Sequence, residues 1–229
     1  MVFYNGLFYV RLNHALMCAV SVLTISCPCA LVLATPITLT VGMGKAAQLG
    51  IIIRDASVLE NMCKIKHMIF DKTGTLTQSN LDKNEMAAKM LRPDAKETIS
   101  KLQNDLDIET YMISGDKKDE AHRVASQLGI KLDHVVAEAT PLSKNDHLMQ
   151  LMNYAKIKTK DFGLFGYVGD GINDAPAMTT ADVGITLESA TDIALETGDV
   201  VLMHNKLIDL IPAIRLSKAS MRKIKQNLF

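Results

Sequence analysis

The sequence predicts a doubly wound α/β domain with a parallel sheet, preceded by a transmembrane helix. No Asp, Glu, Lys or Arg occurs between Leu12 and Gly44, whereas charged and apolar residues alternate through the rest of the chain. From His67 onward, short apolar runs alternate with segments of helical periodicity, which is the pattern of a parallel α/β sheet. The 229 residues carry 25 basic and 25 acidic side chains, so the net charge of zero argues against a nucleic-acid partner.

The apolar stretch from Ala15 to Val41 is longer than the roughly 20 residues that a helix needs to cross a bilayer. A cleaved signal peptide is the competing interpretation, but its apolar core would be shorter, and this stretch continues through Pro28 and Pro36. Only Arg11 lies just before the stretch. The basic residues that follow it are Lys45, Arg54, Lys64 and Lys66. The positive-inside rule therefore predicts an integral membrane protein whose C-terminal bulk is cytoplasmic.

Six short apolar runs predict the strands of the sheet: Met68–Phe70, Thr110–Ile113, Val135–Val136, Leu164–Val168, Val183–Thr186 and Val200–Met203. Helical patterns lie at Asp94–Gln103, Asp119–Leu128 and Lys144–Tyr154. We divide the chain into a membrane segment (1–46), a cytoplasmic linker (47–66), an α/β domain (67–205) and a C-terminal helix that returns to the membrane surface (206–229).

Polar clusters follow three of the predicted strands. Asp71 ends the first strand, Ser114-Gly115-Asp116 follows the second, and a segment from Gly169 to Asp174 follows the fourth. Lys144 begins the helical pattern between the last two clusters. Because ligands bind at the carboxyl ends of parallel strands, we expect these side chains to form one site.

The residue types in these clusters suit phosphoryl transfer. A carboxylate beside a divalent cation can act as a nucleophile that forms an acyl phosphate, and Asp71 is the candidate. Mg²⁺ prefers oxygen ligands, which Asp71, Asp170 and Asp174 would supply. Thr73, Ser114 and Lys144 are predicted to stabilise the transferring phosphoryl group. The residues predicted to bind the phosphate-bearing cofactor are Thr75, Gly115, Asp116 and Asn173.

Two cysteines lie inside the apolar stretch as Cys27-Pro28-Cys29. Residues two apart on a regular helix point to nearly opposite sides, but Pro28 can unwind the helix locally and let both thiols converge. Soft thiolates favour Cu⁺ or thiophilic Zn²⁺ and Cd²⁺. The alternative is that both cysteines are small packing residues. Cys18 is a weaker candidate ligand, and Cys63 is given no function.

Two motifs resemble those of P-type ATPases. The run from Asp71 to Thr77 (DKTGTLT) resembles their phosphorylation motif, and the run from Gly169 to Ala177 (GDGINDAPA) resembles their hinge and magnesium motif. Together they resemble the haloacid-dehalogenase-like superfamily. The segment Ser26–Leu31, with Ala34-Thr35-Pro36, resembles the metal-site helix of the heavy-metal transporters of this family, the copper-type CPC subfamily.

The resemblance implies a role for each matching residue. Asp71 would be the phosphorylated nucleophile, and the Thr73 carbonyl and Asp170 would bind Mg²⁺ with support from Asp174. Ser114 and Lys144 would contact phosphate. Thr73 stands where the superfamily's phosphatases carry an acid/base Asp, which implies a longer-lived phosphoenzyme. Cys27 and Cys29 would bind the transported ion, with Cu⁺ the first expectation and Zn²⁺ or Cd²⁺ the second.

The chain departs from the family where the family carries further domains. The family inserts a nucleotide-binding domain between the positions of Thr77 and Arg92, where this chain has a short polar segment. An actuator domain and further membrane helices are not recognisable either, so the sequence is interpreted as a truncated form. ATP is therefore a cofactor expected only from the family. The expected partners are membrane lipid, a transition-metal ion and a chain that supplies the missing domains.

Three functions remain open at this point. The first is the phosphorylation core of an ATP-driven metal transporter. The second is a membrane-anchored phosphatase that accepts small phosphoesters. The third is a non-catalytic metal-binding subunit.

Overall fold

The chain forms an α/β fold in a computed structural model that describes residues 2–25, 33–78, 90–158, 163–170 and 172–228. The helices of these residues are α1 (Val2–Ile25), α2 (Thr35–Gln48), α3 (Ala56–Met62), α4 (Ala95–Leu106), α5 (Lys118–Leu128), α6 (Pro141–Lys158), α7 (Ala175–Thr180), α8 (Asp192–Thr197) and α9 (Leu210–Leu228). The strands are β1 (Ile51–Ile53), β2 (Ile65–Asp71), β3 (Glu109–Ile113), β4 (Val135–Val136), β5 (Leu164–Gly169), β6 (Val183–Leu187) and β7 (Val200–Leu202). All six predicted strands are present as β2 to β7.

The strands form one seven-stranded sheet in the order β1-β7-β6-β5-β2-β3-β4. Every neighbouring pair is parallel except β1 and β7, which are antiparallel. The parallel α/β fold predicted from the alternating pattern is therefore confirmed. The strands β5, β2 and β3 are adjacent, so the residues that follow them meet at one edge of the sheet.

Helices cover both faces of the sheet, and each face has its own apolar core. Along β2, Met68 and Phe70 belong to one core and Ile69 belongs to the other, because successive side chains of a strand point to opposite faces. The larger core includes residues of α3, α4, α5 and α9, and the smaller one includes Leu148 of α6 and Met178 of α7. Burial on both faces explains why the central strands read as nearly continuous apolar runs.

The segment 47–66, interpreted as a linker from the sequence, contains β1 and α3. Asp55 caps α3, since its Oδ1 accepts a hydrogen bond of 2.7 Å from the backbone N–H of Ser57. Leu59 is fully buried in the larger core. The apolar run Ile51–Ile53 precedes the alternating pattern that begins at His67, so it was included in the linker, and the seven residues of α3 are too few to show a helical period.

The predicted membrane span, Ala15 to Val41, overlaps both α1 and α2. The helix α1 ends at Ile25 and α2 begins at Thr35, and residues 26–32 lie outside the described residues. Among the described helices, none has both the length and the apolar character required to cross a membrane.

We expect Leu59→Ala to lower the free energy of unfolding of the α/β domain by about 2–5 kcal/mol, because it opens a cavity in the core. The matched control is Ile52→Ala in the same segment, where the side chain is 48% exposed and the expected loss is under about 1 kcal/mol. Urea unfolding followed by far-UV circular dichroism measures both. Equal, small losses would contradict the assignment of residues 47–66 to the folded core.

Candidate functional site

Three adjacent strand ends bring the predicted catalytic residues to one edge of the sheet. Asp71 is the last residue of β2, Ser114 directly follows β3, and Asp170 directly follows β5. Asp174 ends a short 3₁₀ turn that leads into α7. The carboxylates of Asp71, Asp170 and Asp174 each offer an oxygen within 4.8 Å of the others. The motifs that the sequence separates by about a hundred residues thus form one acidic cluster.

Lys144, near the start of α6, neutralises part of this charge. Its Nζ donates hydrogen bonds to Asp71 Oδ1 at 2.5 Å and to Asp174 Oδ1 at 2.7 Å. Lys144, Asp71 and Asp174 are all buried. Buried charges are costly unless they are paired, so this one ammonium group makes it possible to hold two carboxylates away from water.

The pKa values reflect the crowding of like charges. Burial, followed by the charge of Asp174, raises the pKa of Asp71 to about 7 even though Lys144 acts in the opposite direction. Burial and Asp174 also raise the pKa of Asp170 to about 6, against the lowering effect of Arg92. Burial lowers the pKa of Lys144, but the charges of Asp71 and Asp174 outweigh it, so its pKa is raised and the ammonium form is retained.

The loop Lys72–Leu76 turns sharply after the nucleophile candidate. Gly74 has φ of 78°, and a Cβ atom at this position would lie 1.6 Å from Asp170 Oδ2, so only glycine fits here. Thr75 is fully buried, and its Oγ1 has no hydrogen-bond partner in the described part of the chain. A buried hydroxyl without a partner is uncommon, and this one is consistent with a ligand that supplies the partner. The Thr73 side chain is exposed.

Ser114 and Asp116 form a second polar pair beside the cluster. The Ser114 hydroxyl donates to Asp116 Oδ2 at 2.8 Å and accepts from the Asp116 backbone N–H at 3.1 Å. Lys72 forms a short ion pair with the same carboxylate. The Ser114 hydroxyl is therefore directed to Asp116 in this structure. Gly115, between them, is exposed.

The structure does not show the remaining predicted residues in contact with the acidic cluster. Asn173 lies in the 3₁₀ turn with an exposed side chain. Cys27 and Cys29, the predicted ligands of the transported ion, lie outside the described residues.

Two residues of the site were missed by the sequence analysis. The Tyr167 hydroxyl on β5 donates to Asp174 Oδ1 at 3.1 Å, and burial, together with the charge of Asp174, raises the pKa of this phenol well above its usual value. Arg92 is buried and donates to the carbonyls of Gly74 at 2.9 Å and Asn205 at 3.0 Å. Tyr167 was assigned only to an apolar strand, and Arg92 only to the end of a polar segment. Nothing in their local sequence signals these distant partners.

The donor set of this edge fits Mg²⁺. Three carboxylates from separate elements converge, which suits a hard cation with oxygen ligands. The glycine at position 74 leaves the space that the Asp170 carboxylate requires, and the unpaired Thr75 hydroxyl lies in the same loop. Soft ligands do not belong to this cluster, so the chemistry of the site favours magnesium over a thiophilic ion.

Comparison with known proteins shows which proteins the chain resembles. A family described as haloacid dehalogenase-like hydrolases matches residues 80–182. The "Probable copper-importing P-type ATPase A" of Enterococcus hirae is 30% identical over 320 aligned positions, which cover 94% of this chain and 43% of that protein. The "Zinc-transporting ATPase" of Bacillus subtilis is 45% identical over 138 residues, covering 60% of this chain and 20% of that protein.

A crystal structure of a zinc-transporting PIB-type ATPase in its E2.Pi state superposes with a TM-score of 0.76 at 25% identity. The match covers 88% of this chain and 49% of that one. The chain therefore spans less than half of the length of these relatives.

Residues 80–182 are therefore similar to a haloacid dehalogenase-like hydrolase domain. Over most of its length, the chain is homologous to the copper- and zinc-transporting P-type ATPases.

Mg²⁺ binding should weaken as the pH falls, because Mg²⁺ must displace the protons that Asp71 and Asp170 hold below pH values of about 7 and about 6. We expect the affinity to be level above about pH 7, to fall about tenfold between pH 7 and 6, and to fall up to about a hundredfold per unit below pH 6. Isothermal titration with Mg²⁺ from pH 5 to 8 measures this. Asp170→Asn removes one of the two protons and should reduce the steeper slope to about tenfold per unit. An affinity that stays constant over this range would contradict the expected ligands.

Arg92→Met should weaken Mg²⁺ binding at pH 7. It removes two hydrogen bonds that link the Gly74 loop to the turn at Asn205, and it removes the charge that lowers the pKa of Asp170. We expect a loss of about tenfold, comparable to the removal of other supporting residues around metal sites. The control is Arg123→Met on α5, an exposed side chain that is paired with Glu120 of the same helix, and it should leave the affinity unchanged. If Arg92→Met and Arg123→Met bind Mg²⁺ equally well, Arg92 has no role in Mg²⁺ binding and serves only to stabilise the fold.

Proposed function

We propose that this chain is the phosphorylation core of an ATP-driven heavy-metal transporter, in which Asp71 is phosphorylated. The observation that carries the proposal is the cluster of Asp71, Asp170 and Asp174 around Lys144 at the carboxyl edge of a parallel sheet. Homology to copper and zinc P-type ATPases over most of the chain supports it. Copper(I) is the first candidate for the transported ion, and Zn²⁺ or Cd²⁺ is the second.

The proposed step is the attack of an Asp71 carboxylate oxygen on the terminal phosphorus of the donor. A new O–P bond forms, the bond from phosphorus to the leaving oxygen breaks, and its electron pair stays with the leaving group. Lys144 binds Oδ1 of Asp71, so we expect Oδ2 to form the new bond. Bound Mg²⁺, held by Asp71 and Asp170 with the Thr73 carbonyl, would offset the negative charge of the phosphoryl oxygens.

Several residues would then hold the phosphoryl group. Lys144 is close enough to Asp71 to contact an oxygen of a phosphoryl group attached there. The buried Thr75 hydroxyl is free to donate to another. Ser114 would contribute only after its hydroxyl turns away from Asp116. Lys72 would then remain as the partner of the Asp116 carboxylate. We assign Gly115 and Asn173 to the outer boundary of the same site.

The membrane assignment is part of the proposal. The charge-free stretch between Leu12 and Gly44 supports a membrane segment in residues 1–46, followed by a cytoplasmic α/β domain. Exposed apolar side chains on α1 and α2, among them Leu16, Val20 and Ile37, suit contact with lipid. The helix α9 would lead back to the membrane surface, and Cys27 and Cys29 would bind the transported ion.

A second candidate is a phosphatase for small phosphoesters, and one feature of the structure favours it. The chain on either side of residues 79–89 is joined directly: Gln78 N–H donates to the Met90 carbonyl at 3.0 Å, and Arg92 N–H donates to the Leu76 carbonyl at 2.9 Å. Relatives have additional residues, since the Enterococcus hirae alignment spans 320 positions against the 229 residues here. A connection of this length has no room for a nucleotide-binding domain, which favours small substrates over ATP, and a partner chain would have to supply nucleotide binding.

The two candidates are separated by offering the purified chain radiolabelled ATP, acetyl phosphate and p-nitrophenyl phosphate with Mg²⁺. We expect a covalent, acid-stable label at Asp71, lost at least about a thousandfold in Asp71→Asn because the nucleophile is removed. The control variant is Asp119→Asn, an exposed carboxylate on α5 that should label normally. Turnover of the small esters without label from ATP would favour the phosphatase. Copper binding without any phosphoryl chemistry would favour the metal-binding subunit, and equal turnover by Asp71→Asn would exclude the assigned nucleophile.

Thr73→Asp should shorten the lifetime of the phosphoenzyme. The exposed Thr73 stands two residues after the nucleophile, where a carboxylate could act as a general base for water. We expect hydrolysis to accelerate by about a hundredfold, the lower range of general-base catalysis. Thr73→Asn, which has the same shape but no basic group, is the control. Decay of the label measured after acetyl phosphate is removed tests this, and equal lifetimes of the two variants would contradict it.

A further inference from the structure

The helix α1 carries three soft metal ligands at neighbouring positions. His14, Met17 and Cys18 are spaced i, i+3 and i+4, which places them on one face of the helix. An imidazole, a thioether and a thiol are therefore available within a single turn. This group lies outside the phosphorylation site and does not include Cys27 or Cys29.

Two of these ligands already touch. Cys18 Sγ lies 3.5 Å from His14 Nδ1. Both side chains are exposed, as is Met17, and no described side chain of another element covers this part of α1. An ion could thus reach the pair without any rearrangement of the helix.

The composition of the helix selects the class of ion. Thioether and thiolate ligands favour Cu(I) over hard cations, and an imidazole completes a set that Cu(I) accepts. The helix has no Asp or Glu, so it offers nothing to Mg²⁺ or Ca²⁺. The nearest charge is Arg11, one turn before His14, and it disfavours cations of high charge.

We infer that His14, Met17 and Cys18 form a Cu(I)-binding site on α1, separate from the pair Cys27 and Cys29. On binding, the Cys18 thiol releases its proton to solvent and its thiolate bonds to the ion, while neutral His14 and Met17 donate lone pairs. The product with Cu⁺ has no net charge at the ligands, whereas Zn²⁺ would leave one positive charge on an otherwise apolar surface. This would be a second copper site beside the one proposed at Cys27 and Cys29, and it does not depend on that pair.

The test is a Cu(I) titration of the full purified chain under anaerobic, reducing conditions, in competition with bicinchoninate. We expect Cys27→Ser/Cys29→Ser to retain about one Cu(I) per chain. Adding Cys18→Ser to this variant should abolish that binding, and adding Met17→Leu or His14→Leu should weaken it more than about tenfold. Adding Cys63→Ser, the remaining cysteine, is the matched control and should change nothing.

X-ray absorption at the copper edge provides a second readout. In the Cys27→Ser/Cys29→Ser variant, we expect sulfur and imidazole scattering, and His14→Leu should remove only the imidazole component. A merely structural role for His14 would not change the ligand spectrum. Circular dichroism of each variant reports whether α1 remains helical.

The outcomes separate this inference from the proposed function. If Cys27→Ser/Cys29→Ser binds no Cu(I) while the wild-type chain binds one, the α1 site is excluded and the transport-site assignment stands. If binding is lost with Cys18→Ser and retained with Cys27→Ser/Cys29→Ser, the α1 site stands and the transport-site assignment fails. Binding of Zn²⁺ but not Cu(I) to the α1 ligands would overturn the choice of ion.

Discussion

The ammonium group of Lys144, bound between Asp71 and Asp174, is the interaction on which the site depends. The sheet brings three carboxylates to one edge, and two of them are buried. Removing these charges from water would cost several kcal/mol each if they were unpaired. Lys144 compensates for two of them, and Tyr167 and Arg92 contribute a hydrogen bond and a nearby positive charge. The raised pKa values of Asp71 and Asp170 show that compensation is incomplete without a further cation.

This constraint explains much of the surrounding structure. The three carboxylates converge because β5 and β2 are adjacent and parallel, and the burial of those strands on both faces fixes their positions. Gly74 is required because Asp170 occupies the space of a side chain there. Arg92 links the same loop to the turn at Asn205, so the chain beyond residues 79–89 is held against the catalytic edge.

Alternation of apolar runs and helical patterns was sufficient to predict the parallel sheet and the meeting of Asp71, Asp170 and Asp174. It failed for β1, which precedes that pattern, and for α3, whose seven residues are too few to show a period. Their place in the core depends on distant partners such as β7 and α9. Lys144 was predicted from the order of residues in a resembling family, whereas Tyr167 and Arg92 bond to groups that are distant in sequence. The single predicted membrane span overlaps α1 and α2, and its middle part, residues 26–32, lies outside the described residues.

The central claim is that Asp71 accepts the phosphoryl group beside a magnesium ion held by the same carboxylates. The most direct test is an experimental structure of the chain with Mg²⁺ and beryllium fluoride, a mimic of an acyl phosphate. We predict beryllium bonded to a carboxylate oxygen of Asp71, with Mg²⁺ in contact with Asp170 and Lys144 in contact with a fluorine atom. Beryllium fluoride at any other residue, or Mg²⁺ bound away from Asp71 and Asp170, would contradict this account.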